Sequence, residues 1–332
     1  MEPVTHVLTS VALTRLGFKK TGRLALPIVV VAGLVPELDA LSVAGGASAY
    51  FHLNRTVTHS LVGAVVLAVA VALVFQRIGS KHPTARVQFR PALAASLAGV
   101  GAHLLMDLTT NYGARLLWPF SGKWFAWSLI EEVDLWLLFA LVAGFLLPEL
   151  FRLVTEEIGA RPAERGRRRA AIFLLGLVAA YFGVRALLHA EAVGLLSSHM
   201  YHGNAPRAVG AIPLGVSPLR WHGVVATENT MEVVEVPVGP GTVFDPDRSR
   251  TFFKPESSPA LEAASETGTM RAFLQFAKFP SASVMREGAG FRVVVQDLRF
   301  SDERRLGSSV VAVVELNNLA EVVDERFEFA AK

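Results

Sequence analysis

The 332-residue chain is 52% apolar and only 18% charged, with a mean hydropathy of +0.42, which sets it apart from ordinary soluble domains of this length and points to a membrane protein. A net charge of +3 and a pI near 9.3 would suit a nucleic-acid binder, but the basic residues sit in short loops between apolar runs, so no nucleic-acid partner is expected. The absence of cysteine excludes disulfides and thiolate metal sites.

In chain order, apolar runs fall at 24–45, 61–75, 91–108, 125–147 and 169–188, several near the roughly 20 residues that cross hydrocarbon. A shorter run, 4–18, is either a sixth, tilted span or an interfacial helix, and it lacks the features of a signal peptide. The loops alternate. One set carries Lys19, Lys20 and Arg23, then Arg77, Lys81, Arg86 and Arg90, then Arg152, Arg161, Arg165, Arg167, Arg168 and Arg169; the other carries only Arg55, Arg115 and Lys123. Cytoplasmic loops are the basic ones, so the second set and everything after about His189 are expected on the outer side of the cytoplasmic membrane. From about residue 205, short β-branched and aromatic runs (230–238, 291–296, 309–316) alternate with Gly, Pro and Asp clusters, and 245–269 reads as a loop. The expected fold is mainly α: a polytopic helical membrane domain of five or six spans (1–190), followed by a smaller β-rich extramembrane domain (205–332).

Ionisable groups inside spans are expensive and need a partner or a function. His6, Glu37 and Asp39 in LVPELDAL, His59 in NRTVTHSL, His103 and Asp107 in GAHLLMDLTT, and Asp134 in SLIEEVDLW all fall toward the outer ends of their segments. His103 and Asp107, four apart, share one helix face, the spacing by which one helix offers two ligands to one ion. Imidazole and carboxylate donors suit a divalent ion, zinc or manganese. Blander roles stand beside this one: an interhelical hydrogen bond for His103 and Asp107, a cap at a helix break for Asp39, and an ion pair with Arg115 or Arg55 for Asp134. Arg55, Thr58 and Ser60 could form an anion pocket, or Thr58 or Ser60 could cap the helix starting at Leu61. Trp118, Pro119, Phe120, Trp124 and Trp127 read as an interfacial aromatic belt. His82 reads as solvated in a basic loop, and His189, His199, His202 and His222 as belonging to the connection to the outer domain and its start.

The segments THVLTS, LVPELD, NRTVTHSL, GAHLLMDLTTNYGARLLWPF and SLIEEVD together resemble the YdjM-like family of inner-membrane proteins described as metal-dependent hydrolases. The resemblance covers residues 1–150, and the parts near 220 and 280 are similar to longer members with an appended outer domain. It implies His6, Asp39, His59, His103 and Asp107 as candidate metal ligands, with Asp134 a further, weaker candidate. Two departures stand out: Asn54 occupies a position where the family commonly has His, and Glu37 one where it commonly has Asp.

The function expected from these readings is hydrolysis at a divalent metal near the outer membrane surface, on a phospholipid, phosphoester or other lipid-linked substrate. Glu37 or Asp134 takes the proton and Arg55 holds the substrate anion. Transport is the alternative, disfavoured because the cytoplasmic halves of the spans are almost purely apolar; a non-catalytic membrane anchor for the outer domain is another.

Overall fold

The computed structural model describes residues 1–81, 86–157, 164–301 and 309–329; His82 and Arg161 lie outside the described residues. Helix α1 (Pro3–Thr14) starts where the Glu2 carboxylate accepts from the Thr5 amide at 2.9 Å and Pro3 occupies the first turn. Its twelve residues are too few to span, and its buried side, Thr5, His6, Thr9, Ser10 and Ala12, faces the other helices.

The apolar run expected at 24–45 is interrupted. Helix α2 (Ala25–Leu34) stops before Pro36, which has no N–H to continue an α-helical ladder, and the chain tightens into 3₁₀ turns over Val35–Gly45 before α3 (Gly46–Leu53). Glu37 and Asp39 are thereby presented from an irregular segment. Ser60 caps α4 (Leu61–Ser80), accepting from the Gly63 amide at 2.9 Å. Helix α5 (Phe89–Thr109) is the most enclosed of the apolar helices and packs against α2 and α4. Helix α6 (Leu135–Glu157) begins ten residues later than the run expected at 125. Residues 110–130 instead form a folded loop pinned by bridges Thr110 to Ile130 and Ala114 to Phe125. Among the described residues, four helical stretches, Lys20–Leu53, Leu61–Ser80, Phe89–Thr109 and Gly166–Ser198, are long and apolar enough to cross a membrane, and Leu135–Leu150 is a shorter apolar helix; this does not confirm the five or six spans expected. Their outward apolar side chains, such as Val65, Val66 and Val74 on α4 and Phe173 and Leu187 on α7 (Glu164–Ser198), are what a bilayer covers.

At about 1.5 Å per residue, the 35 residues of α7 reach roughly 50 Å, well beyond a hydrocarbon core of about 30 Å. The far end carries Ala192 and Leu196 into the core of the C-terminal region, against Trp221 and Val236. That region holds two antiparallel four-stranded sheets, ordered β1 (Ala208–Leu214) to β4 (Arg250–Phe253) and β5 (Pro280–Glu287) to β8 (Val322–Phe329). Strands β2 (Ser217–Ala226), β3 (Thr230–Pro237), β6 (Gly290–Asp297) and β7 (Val310–Leu316) complete them. The stretch 245–269, read as a loop, contains β4 and helix α8 (Pro259–Ser265); α9 (Gly268–Phe276) follows.

The C-terminal region seats on the loop layer of the helical domain. Phe51 of α3 is buried among Phe273, Phe276 and Phe327, and the buried Arg299 donates to the Asn111 carbonyl at 2.9 Å. Arg185 of α7 donates to Leu129 O at 2.8 Å and also to Pro218 O, bridging the folded loop and β2.

Candidate metal centre

His103 and Asp107 lie one turn apart on α5, with His103 Nε2 3.1 Å from Asp107 Oδ2. The other ring nitrogen, Nδ1, is 2.8 Å from the Gly33 carbonyl of α2. A carbonyl only accepts, so Nδ1 carries the proton and Nε2 keeps its lone pair. The approach depends on small residues at the crossing: a Cβ on Gly99 would meet Val29 O at 2.6 Å, and one on Gly33 would meet Ser10 Oγ at 2.2 Å.

His59 comes from the turn before α4. Its Nδ1 lies 2.9 Å from Asp39 Oδ2, which also accepts from Thr58 Oγ1 at 2.6 Å and from the Arg55 amide at 2.8 Å. A carboxylate at Nδ1 assigns the proton there, leaving Nε2 2.9 Å from Asp107 Oδ2 and 3.0 Å from His103 Nε2. With His59 neutral and its proton on Nδ1, two lone-pair nitrogens and a carboxylate oxygen converge; Asp107 Oδ2, as close to Nε2 as Asp39 Oδ2 is to Nδ1, equally accommodates the ring as an imidazolium. His6 stacks on His103 with ring centroids 3.9 Å apart, and its Nε2 is 3.5 Å from both Asp107 Oδ1 and Glu37 Oε1. Among the described residues neither ring nitrogen of His6 nor Glu37 Oε1 has a hydrogen-bond partner, although all are buried, and Asp107 Oδ2 has only the His59 and His103 imidazoles beside it. His6, Glu37, His103 and Asp107 each offer one atom within 4.8 Å of all the others, a two-nitrogen, two-oxygen set that could hold a metal ion.

Arg55 has φ of +53°, a left-handed conformation uncommon outside glycine, held by its amide bond to Asp39. Its guanidinium lies 3.4 Å from Asp107 Oδ1, donates to Thr110 Oγ1 at 3.1 Å and sits over the Tyr112 ring. Gly113 packs so tightly that a Cβ would lie 2.1 Å from Phe125 O, and its φ of +76° also favours glycine.

Asp134 is not brought into this group. Its partner is neither Arg55 nor Arg115: it accepts from the Tyr181 hydroxyl at 2.9 Å and from the Leu137 amide at 2.9 Å, anchoring α6 to α7. Asp39 stands behind His59 rather than among the four. Thr58 does not cap α4; that role falls to Ser60. Of the aromatic cluster, Phe120 and Trp127 are exposed as a belt requires, but Trp124 is buried under Arg115 against Tyr112 and Phe276. His222 Nε2 donates to the Leu298 carbonyl at 2.9 Å, within the C-terminal region.

The profile of the YdjM inner membrane protein family matches residues 1–192, which contain every residue of this cluster. The chain belongs to that family. It is accordingly an inner membrane protein, and its apolar helices fit a lipid bilayer. A second profile, the YfhP C-terminal alpha/beta plait domain, matches residues 259–331, the stretch from α8 through β8. No curated protein and no solved structure matches the chain.

Sequence reasoning passed over one participant in the site, the Gly33 carbonyl, and Arg185, which ties the folded loop to β2 outside it. The Gly33 carbonyl that orients His103 carries no side-chain signal at all. Arg185 did carry one, being a lone charge in the apolar part of α7.

Proposed function

We propose that this chain is a membrane-embedded, metal-dependent hydrolase in which His6, His103, Asp107 and Glu37 hold a divalent ion, with His59 turned to the same space. The observation that supports the reading best is the convergence of buried acceptor atoms without hydrogen-bond partners. A His59 imidazolium bridging Asp39 and Asp107 would satisfy those two carboxylates and still leave His6 and Glu37 Oε1 bare; a cation held by one atom each of His6, Glu37, His103 and Asp107 would engage all four groups, with one His6 ring nitrogen left outside it.

The chemistry such an ion supplies is Lewis-acid activation of water and of the scissile bond. The remaining roles fall to side chains of the chain. Glu37 is 23% exposed whereas His6, His103 and Asp107 are at most 1% exposed, so it is the group that a substrate reaches first and the one placed to take a proton. Asp134, engaged by Tyr181 and the start of α6, is less suited to that work. Arg55 adds positive charge beside the centre, which favours a phosphoester anion. Leu38, Leu41 and Val43 stand exposed along the segment that carries Glu37, favouring a lipid phosphoester or other lipid-linked substrate that arrives across apolar surface. The sparsely basic loops at this end of the bundle support an outer-face position for the site and the C-terminal region.

The test pairs elemental analysis with hydrolysis assays on detergent-purified protein, wild type beside a His103→Ala, Asp107→Ala variant whose thermal transition is retained. Wild type is expected to hold about one or two divalent ions and to cleave a lipid phosphoester, and the variant to lose both. Equal metal content in the two proteins overturns the centre. Metal retention with no hydrolysis across lipid and soluble phosphoesters overturns the enzyme reading.

A further inference from the structure

At the end of the bundle opposite the His and Asp cluster, an open cleft of about 600 Å³ lies between the start of the Lys20–Leu53 stretch, the end of α4 and the start of α5. Its volume falls in the range of roughly 300–1,000 Å³ typical of small-ligand sites. The lining is donor-rich: Lys20, Gln76, Arg86 and Gln88, with Val87 and Phe89 giving it an apolar wall. Among the described residues no carboxylate lines it. In sequence, residues 3–36 and 40–106 contain no Asp or Glu, while Lys20, Arg23, Arg77, Lys81, Arg86 and Arg90 fall at this end; Arg15 is paired there with Glu149 of α6. Among the described residues neither Lys20 nor Arg86 forms an ion pair.

The first turn of α5 adds to the positive field. It has no acidic residue and no side-chain cap from Gln88, so amide N–H groups and the positive end of a 21-residue helix face the same region. A cleft that gathers unpaired cations, amide donors and a helix N-terminus beside an apolar wall, at the end of membrane helices, has the chemistry of an anionic lipid headgroup site: phosphate against Lys20 and Arg86, acyl chain along the neighbouring apolar helices.

We propose that this cleft binds the phosphate headgroup of an anionic phospholipid. The site is independent of the metal centre and does not rest on the hydrolase reading. Lipid in the bilayer, rather than free phosphate, is the committed occupant because the cleft is lined by Gln76 and Ser80 at the end of α4, where Val74 and Ile78 stand exposed on the face that a bilayer covers.

The experiment is native mass spectrometry of the full chain, delipidated and then titrated with phosphatidylglycerol or phosphatidylcholine, beside thermal shifts with the same lipids and with inorganic phosphate. The variants are Lys20→Gln, Arg86→Gln and the double change; Arg207→Gln, in an exposed ion pair with Glu228, is the control. Wild type is expected to retain phosphatidylglycerol selectively, and each single variant to weaken it roughly fivefold, the double about thirtyfold, with the control unchanged. Because Lys20 is exposed, the Lys20→Gln variant carries the test even if the double variant fails to fold. Unchanged phosphatidylglycerol retention in that variant overturns the proposal. Stabilisation by inorganic phosphate equal to that by the lipid overturns the lipid as occupant.

Discussion

Replacing Asp39 with Asn isolates one link in the proposed centre. Oδ2 of Asp39 receives three donors, His59 Nδ1 at 2.9 Å, Thr58 Oγ1 at 2.6 Å and the Arg55 amide at 2.8 Å, whereas Oδ1 has none. An Asn side chain can keep its oxygen on all three donors and set its NH₂ where Oδ1 stood. Geometry and the His59 tautomer therefore survive, and only the negative charge that makes the imidazole a stronger base is lost. Carboxylates in this position behind a metal-binding histidine are worth about 10- to 100-fold in metal affinity, or roughly 1.4–2.7 kcal/mol. Asp39→Asn is thus expected to weaken metal binding about tenfold with little change in thermal stability. Asp39→Ala, which strips an acceptor from three buried donors, should lower both, by about 1–3 kcal/mol in stability for the donors left bare. Competition against a chromophoric chelator measures the affinity and a thermal melt the stability. Wild-type metal affinity in Asp39→Asn would refute the assignment of Asp39 as the group that tunes His59.

Gly99→Ala places a methyl 2.6 Å from Val29 O and should force α2 and α5 apart at a cost of about 1–3 kcal/mol. The same shift pulls Gly33 O from His103, so metal affinity should fall with stability; a melt and a chelator titration on one preparation check that the two losses travel together. Arg299→Ala removes the side chain that bonds Asn111 O, Phe276 O and Asp297, leaving a buried carboxylate unpaired, and should cost about 3–5 kcal/mol. Limited proteolysis should then release the C-terminal region faster; an unchanged digestion rate would mean that Phe51 and its aromatic neighbours suffice to hold the interface. Glu325, outside the membrane, has its carboxyl held below the ordinary value chiefly by the Thr269 amide it accepts from. A depressed folded-state pKa contributes stability above the unfolded carboxylate value, and that contribution disappears as pH falls through the folded value. The melting difference between wild type and Glu325→Gln should therefore be present at neutral pH and shrink on acidification below the ordinary Glu range; a difference independent of pH would contradict it.

The parts of this protein that depend on local composition were legible without a structure. Apolar length and loop charge marked a membrane protein, the i, i+4 spacing placed His103 and Asp107 on one face, and the alternation at 230–238, 291–296 and 309–316 located β3, β6 and β7. Hydropathy failed where backbone chemistry overrode it. Pro36 broke the 24–45 run, and the folded loop ending at Asp134 took ten residues from the start of α6, because a capped helix begins where its cap is and not where apolar residues begin. The small helices α8 and α9 were missed since short amphipathic turns carry little periodic signal.

The residues of the candidate site could be nominated from sequence because a titratable group within a span is conspicuous wherever it falls. Their roles could not be divided that way. That Asp39 turns to His59, Arg55 to Asp107 and Asp134 to Tyr181 follows from contacts between residues 20 to 52 positions apart. Such pairings are chosen by how α1, α2, α4 and α5 pack, through Gly33 and Gly99, and by the seating of the C-terminal region on the loop layer. The sequence by itself determined that charge is buried in this membrane domain; only tertiary packing decided which charge faces which, since a carboxylate pairs with whichever donor the fold brings within about 3 Å.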